Sequence, residues 1–346
     1  MDISITLDPR LSVFSKADVV KWGILGVGDV AEFKSGPPLY QVPHSELVAV
    51  MRRTESRARD FAQRHNVPRY YTSVDALLSD PEINAVYIAT PPHIHLENAV
   101  QVANAGKHIL LEKPMALSVE DCQEIVDVCK SNHVQLMIAY YRRFFPMVKK
   151  IKSLLDEGAI GRPIRARALH TGYYKPHPGG ERTWVTDPEI GGGGFMMDAG
   201  IHRFDLFAYF FGKPIDVVAY ADTVHFDFDV DDSSTVIIRF ENGVHATTEF
   251  NWNVGLALDE FEICGTAGRI YARHLGKDEL ILETAEGARH FSVAPPEFVH
   301  HNLIAHYVEA IRAGLPNALP GEEGMIASAI CLAAYQASNE RRVVQL

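Results

Sequence analysis

"VVKWGILGVGDVAEF", residues 19–33, sets an apolar strand-like run directly against a glycine-spaced turn, and how that junction is read decides the fold. Gly26-x-Gly28-x-x-Ala31 follows the run without a spacer. The first glycine permits a tight turn, the second lets the backbone approach a pyrophosphate, and the small third residue lets a helix pack on the sheet. Free N–H groups at the helix start then face the phosphates, so Gly26, Gly28, Asp29 and Val30 are the expected contacts. The same spacing also fits an ordinary strand-to-helix turn. Its place at the head of a longer alternating series makes it a dinucleotide motif.

Outward from that stretch, apolar runs alternate with helical patterns as far as Tyr140, the rhythm of parallel βαβ units. Six strands are predicted, at 19–25, 46–51, 69–71, 84–90, 107–112 and 135–140. Helices are predicted over 93–106, closed by Gly106, and over 118–133, opened by Ser118 with an acidic first turn. The helix after the motif is expected to be short, because Gly36-Pro37-Pro38 does not continue one. Beyond Tyr141 the rhythm changes to a helix near 146–157, a Gly/Pro-rich stretch over 173–194, a helix bearing Asp198 and His202, and closely spaced strands. Two closing helices, near 299–313 and 321–339, are expected to cover one face of that second sheet. The division is an arm over 1–18, a dinucleotide-binding Rossmann domain over 19–142 and a substrate-binding and oligomerisation domain over 143–346. The fold class is α/β: a doubly wound parallel sheet followed by an α/β domain with a large open, mostly antiparallel sheet.

A chain of 346 residues supports two cores. Its 33 Lys and Arg against 44 Asp and Glu leave a net charge of -11, which offers nothing to attract nucleic acid. No apolar run reaches the roughly 20 residues that span a bilayer. The first residues are acidic where a signal peptide is basic, and the four cysteines lack C-x-x-C spacing; a reduced cytoplasmic protein is the expectation. At the end of the second strand, "MRRTESR" places Arg52 and Arg53 where an acid would hold an adenosine ribose 2′-hydroxyl. NADP is therefore favoured, with NAD the alternative; Arg53 stacking on adenine serves either. Lys34 is within reach of a phosphate or is simply a solvated lysine.

"GVGDVA" (26–31), "ATPPHIH" (89–95), "EKP" (112–114), "GGGGFMMDAGIHRFD" (191–205) and "GTAG" (265–268), in this order, resemble the glucose-fructose oxidoreductase / inositol dehydrogenase family of NAD(P)-dependent oxidoreductases. The resemblance runs from Val19 almost to the end. It implies an active site between the two domains, with Lys113, Asp198 and His202 catalytic and a cis Lys113–Pro114 bond. It also implies that Thr90 and Pro91 lie against the nicotinamide with His95 nearby, that Glu112 and Lys113 contribute to the cofactor site, and that the chain assembles as a homodimer or homotetramer through the open sheet's outer face.

The residues themselves support that catalytic group. Lys113 follows a strand, at the carboxyl edge where such sheets bind ligands, and its ammonium suits a developing alkoxide. Asp198 and His202, four apart, stack on one helical face, where imidazole takes a hydroxyl proton and carboxylate orients it. Alone, that pair reads as an N-cap and a core histidine. Glycines 191–194 are expected to bring backbone close to substrate or nicotinamide. Arg143 and Arg142 contact substrate or lock the domain interface; Tyr174 and Arg182, with His170 and Tyr173, are further substrate candidates. Trp184-Val185 departs from the Trp-Arg of many relatives. His93-x-His95 lacks further ligands at site-like spacing, so no metal is expected. The implied activity is hydride transfer between nicotinamide and a secondary alcohol or ketone of a sugar, cyclitol or related polyol. An NAD-dependent glycosidase with tightly held cofactor and a non-enzymatic sugar- or dinucleotide-sensing regulator stay open beside it.

Overall fold

The computed structural model describes residues 14–175, 183–277 and 279–346. Its first sheet holds six parallel strands: β1 (Val20–Leu25), β2 (Ser45–Met51), β3 (Arg69–Tyr71), β4 (Ala85–Ile88), β5 (His108–Leu111) and β6 (Leu136–Ile138). Their order is β3-β2-β1-β4-β5-β6, so the winding reverses between β1 and β4 and opens a crevice at the carboxyl ends there. Every residue of β4, β5 and β6 is buried, as expected of strands covered on both faces. The connecting helices are α1 (Gly36–Gln41), α2 (Glu55–Arg64), α3 (Val74–Leu78), α4 (His95–Asn104) and α5 (Val119–Ser131). Ser118 caps α5, its Oγ accepting from the Asp121 N–H at 3.0 Å.

One local expectation is overturned after β1. The motif leads into a π-helical turn, Ala31–Ser35, and Gly36-Pro37-Pro38 starts α1 instead of ending a helix. Proline lacks an N–H that the first turn of a helix has no partner for, so it is tolerated there.

The second sheet has nine strands among the described residues: β7 (Pro163–Tyr173), β8 (Pro214–Asp222), β9 (Ser233–Phe240), β10 (His245–Asn251), β11 (Asn253–Gly265), β12 (Gly268–Ala272), β13 (Glu279–Thr284), β14 (Gly287–Ser292) and β15 (Val344–Gln345). They run β14-β13-β12-β11-β7-β10-β9-β8-β15, all antiparallel except β7 with β10. The central strand β7 was not legible in the sequence. Its core-facing residues include Ala166 and Ala168, alternating with arginines, and they carry little of the apolar signal that marks a strand.

The remaining helices are α6 (Pro146–Asp156), α7 (Pro188–Gly191), α8 (Ile201–Phe211), α9 (His301–Ala313) and α10 (Gly321–Glu340). The closing pair departs from expectation, because α9 returns to the first sheet. Tyr307 donates to the carbonyls of Ile109 and Gln135, both at 2.8 Å, and its ring lies 6.0 Å from Trp22. α10 lies between the sheets, touching α5 on one side and β8 on the other.

Before α8 the chain makes a second π-helical turn, Met196–Gly200, which carries Asp198. The preceding glycines do not leave a cleft open, contrary to the sequence reading. A Cβ on Gly194 would stand 1.9 Å from the Asp231 carbonyl oxygen. The Asp231 carboxylate accepts from the N–H groups of Gly194 (2.8 Å) and Met196 (3.1 Å) and from the Tyr335 hydroxyl (2.5 Å). Glycine is thus required for backbone to press on backbone, and Asp231 fixes where the next turn begins. Gly194→Ala is expected to lower the thermal midpoint by about 3 °C or more, the shift that a clash costing ~2 kcal/mol gives in a protein of this size. A midpoint unchanged in differential scanning calorimetry contradicts this docking.

Candidate active site

At the switch point, Gly26 adopts φ +98, which only glycine takes without strain, and a Cβ there would meet the Ala89 carbonyl at 3.0 Å. Its N–H donates to the Met51 carbonyl at 3.1 Å, locking the turn to the end of β2. Gly28 is the opposite case: a Cβ on it would meet nothing within 4 Å, because it faces open space. A cavity of about 550 Å³ begins at this rim, walled by Gly26, Gly28, Asp29, Val30, Arg52, Arg53, Thr90 and Pro91 together with Trp184. Backbone cleared of side chain at a glycine turn fits a dinucleotide pyrophosphate. Arg52 Nη1 donates to the Val27 carbonyl at 2.5 Å, bracing the turn, while Arg53 is exposed.

His95 departs from expectation. It is fully buried, with Nδ1 2.9 Å from the Pro114 carbonyl and Nε2 2.8 Å from the Thr90 carbonyl. It braces the turns after β4 and β5 and does not line the cavity. Burial holds its pKa below the ordinary histidine value.

A second chamber, about 230 Å³, continues from the first and shares Val30, Ala89, Thr90 and Trp184 with it. Lys113, Asp198 and His202 meet here. Lys113 leaves β5 next to Glu112, and its bond to Pro114 is cis. Its Nζ donates to Asp198 twice, to the backbone carbonyl at 2.5 Å and to Oδ1 at 3.1 Å. Glu112 stays behind it, accepting from the Tyr87 hydroxyl at 2.5 Å and from the Lys113 N–H at 3.2 Å. His202 is buried between the rings of Tyr140 and Tyr141, 5.9 and 4.7 Å from their centroids, with Nδ1 unpartnered among the described residues. Burial first, then the charges of Lys113, Arg142, Arg203 and Lys34, hold its pKa well below the usual value. At neutral pH the ring is therefore uncharged and able to accept a proton.

The substrate candidates divide. Arg143 does not reach the chamber. It is buried with Nε 2.9 Å from Asp205 Oδ1 and Nη1 3.2 Å from Glu323, and so ties the inter-domain turn to α8 and α10. Its neighbour Arg142 lines the chamber instead. Tyr174 walls an adjoining hollow of about 280 Å³ that shares His170 and Asp198 with the chamber. Arg182 lies outside the described residues. The sequence reading did not single out Tyr141 or His300, which also line the chamber. His300 has Nε2 3.8 Å from Glu112, and burial pushes its pKa down to about 4. No short motif marks it, since it enters from the start of α9, far from the other groups in sequence.

Among the described residues no helix is long and apolar enough to cross a membrane. Residues 20–140 match the model of the oxidoreductase family with an NAD-binding Rossmann fold, and residues 148–271 that of the GFO/IDH/MocA C-terminal domain. The chain is 40% identical to Oxidoreductase P35 of Formosa agariphila over 72% of this chain and 78% of that protein. It is 29% identical to 1,5-anhydro-D-fructose reductase of Ensifer adhaerens over 92% and 96% of the two chains. Among solved structures, an aldose-aldose oxidoreductase of Caulobacter crescentus complexed with glycerol superposes with a TM-score of 0.86 at 26% identity, covering 95% of this chain and 100% of that one. With both domain models matched, and with the paired sheets and glycine turn that they describe, this chain belongs to the GFO/IDH/MocA family of oxidoreductases.

Proposed function

We propose that this protein is an NADP-preferring dehydrogenase or reductase that interconverts a secondary alcohol and a ketone on a sugar, cyclitol or related polyol. The observation that carries the reading is the meeting of Lys113 from the first sheet with Asp198 and His202 from the second domain, in a chamber continuous with the glycine-rimmed cavity. In oxidation the neutral His202 takes the hydroxyl proton. The Lys113 ammonium, oriented by Asp198, stabilises the alkoxide as it forms. A bound dinucleotide supplies the hydride acceptor at nicotinamide C4, and in reduction the donor. Gly26, Gly28, Asp29 and Val30 hold the pyrophosphate end, Arg52 and Arg53 border the adenosine end, and Thr90 and Pro91 flank the nicotinamide. Trp184 helps to exclude water. The relatives named as an anhydrofructose reductase and an aldose-aldose oxidoreductase support a carbohydrate substrate. Four cysteines with free thiols suit a cytoplasmic location. The expected assembly is a homodimer or homotetramer through the outer face of the second sheet.

The test is a panel of sugars and polyols assayed by nicotinamide absorbance with NAD and NADP separately. His202→Asn is expected to lower kcat/KM by about 10²- to 10⁴-fold, the usual worth of a general base, with dinucleotide binding retained. Full activity in that variant overturns the assignment. Arg53→Ala is expected to raise KM for NADP far more than KM for NAD; equal effects rule out a role at the 2′-phosphate. The acid limb is diagnostic as well. Because the His202 pKa is depressed, the base stays unprotonated further into acid, so kcat/KM for oxidation is expected to remain flat from pH 8 down past the ordinary histidine value of about 6.5. An inflection at or above that value, absent from His202→Asn, shows that the base is not held in this environment.

A further inference from the structure

Around this chamber positive charge is gathered and, among the described residues, incompletely answered. Lys34, Lys113 and Arg142 reach the wall, and the carboxylates of Glu112 and Asp198 face them. Both carboxylates are engaged, Asp198 by Lys113 and Glu112 by Tyr87 and the Lys113 N–H. Behind the wall, Arg203 is fully buried and hydrogen-bonds Asp259 Oδ1, leaving its Nε and Nη1 without partners among the described residues. The other Asp259 oxygen stands 3.6 Å from Arg142 Nη1 and 3.7 Å from His274 Nδ1, beyond a good hydrogen bond in each case. One buried carboxylate is thus divided between two guanidinium groups.

Arg142 is the member of this cluster that faces the cavity. Its guanidinium carbon lies 5.8 and 5.9 Å from the ring centroids of Tyr141 and Phe145, and its Nε is buried without a partner among the described residues. Tyr141 registers the resulting field. Burial would raise its pKa, yet Arg142, Lys34, Lys113 and Arg203 together hold it below the ordinary tyrosine value. A buried cation with an unfilled donor set is costly unless an anion completes it, and a planar guanidinium is the group best shaped to take a carboxylate by two parallel bonds. A neutral sugar would leave that need unmet.

We propose that the substrate is a sugar carboxylate, a uronate or an aldonate, and that Arg142, with Arg203 behind it, seats the carboxylate so that the hydroxyl being oxidised lies at Lys113 and His202. This rests on the hydride-transfer reading and adds the charge of the substrate to it. A cluster that merely pinned the inter-domain turn to β11 would treat charged and neutral substrates alike.

The experiment compares matched pairs on the wild-type enzyme with either dinucleotide: glucuronate against glucose and galacturonate against galactose for the uronate source, gluconate against glucitol for the aldonate source. The expected result is a kcat/KM at least about 10- to 100-fold higher for the carboxylate of one pair, the worth of a hydrogen bond to a charged group. That ratio is expected to collapse in Arg142→Gln and to recover in part in Arg142→Lys. Equal or better use of the neutral partners by the wild type overturns the proposal while leaving hydride transfer standing, and needs no variant to fold. An equal loss on both partners in Arg142→Gln also overturns it, by showing a structural role. If no member of any pair is turned over although NADPH binding quenches tryptophan fluorescence, both readings fall.

Discussion

The contact of Lys113 with Asp198 is the constraint on which the site depends, because it joins the carboxyl edge of one sheet to the turn that opens a helix of the other domain. Each partner is held from its own side. Lys113 is aimed by the chain as it leaves β5, with Glu112 turned back to Tyr87. Asp198 is placed by a π-helical turn whose start is anchored on Asp231 and Tyr335. The buried Arg143–Asp205 pair and the return of α9 to the first sheet hold the same seam closed from behind. Breaking one partner of such a buried pair leaves an uncompensated charge, so these contacts resist relative movement of the domains more than they add net stability.

Electrostatics in the chamber follow from that closure. Three imidazoles, His170, His202 and His300, are kept neutral, chiefly by burial; the first is pushed down to about 3. Arg142 and Arg203 stay charged beside them, although burial and the like charge of Arg142 lower the Arg203 pKa to about 10. The outcome is a small space in which a proton acceptor and fixed cations coexist at neutral pH, the pairing that alkoxide formation requires. Tyr141 and Trp184 give this space part of its wall as aromatic surface.

Local pattern was enough for the strands of the first sheet, because each is a short apolar run bounded by turn residues, and for α4 and α5, which carry their own stop and start signals. It was enough for the glycine turn, for Lys113 at a strand end, and for Asp198 and His202 one turn apart. It misled where the deciding contact is distant. Glycines 191–194 look like an opening, but Gly194 is a docking point against Asp231, 37 residues away in sequence. His95 looks like part of the nicotinamide site, yet its ring is spent on two backbone carbonyls. Arg142 and Arg143 are adjacent and chemically identical, and only packing sends one to the chamber and the other to Asp205.

By itself, then, the amino-acid order determined the strands of the first sheet, the α/β class, the glycine turn and the placing of Asp198 four residues before His202, since all of these are set by periodicity and spacing within a few residues. Tertiary structure alone decided the central strand β7, the course of α9, the entry of His300 and the uneven sharing of Asp259 between two arginines. Those depend on groups brought together across long separations, where burial and charge act through space and leave no local trace in the chain.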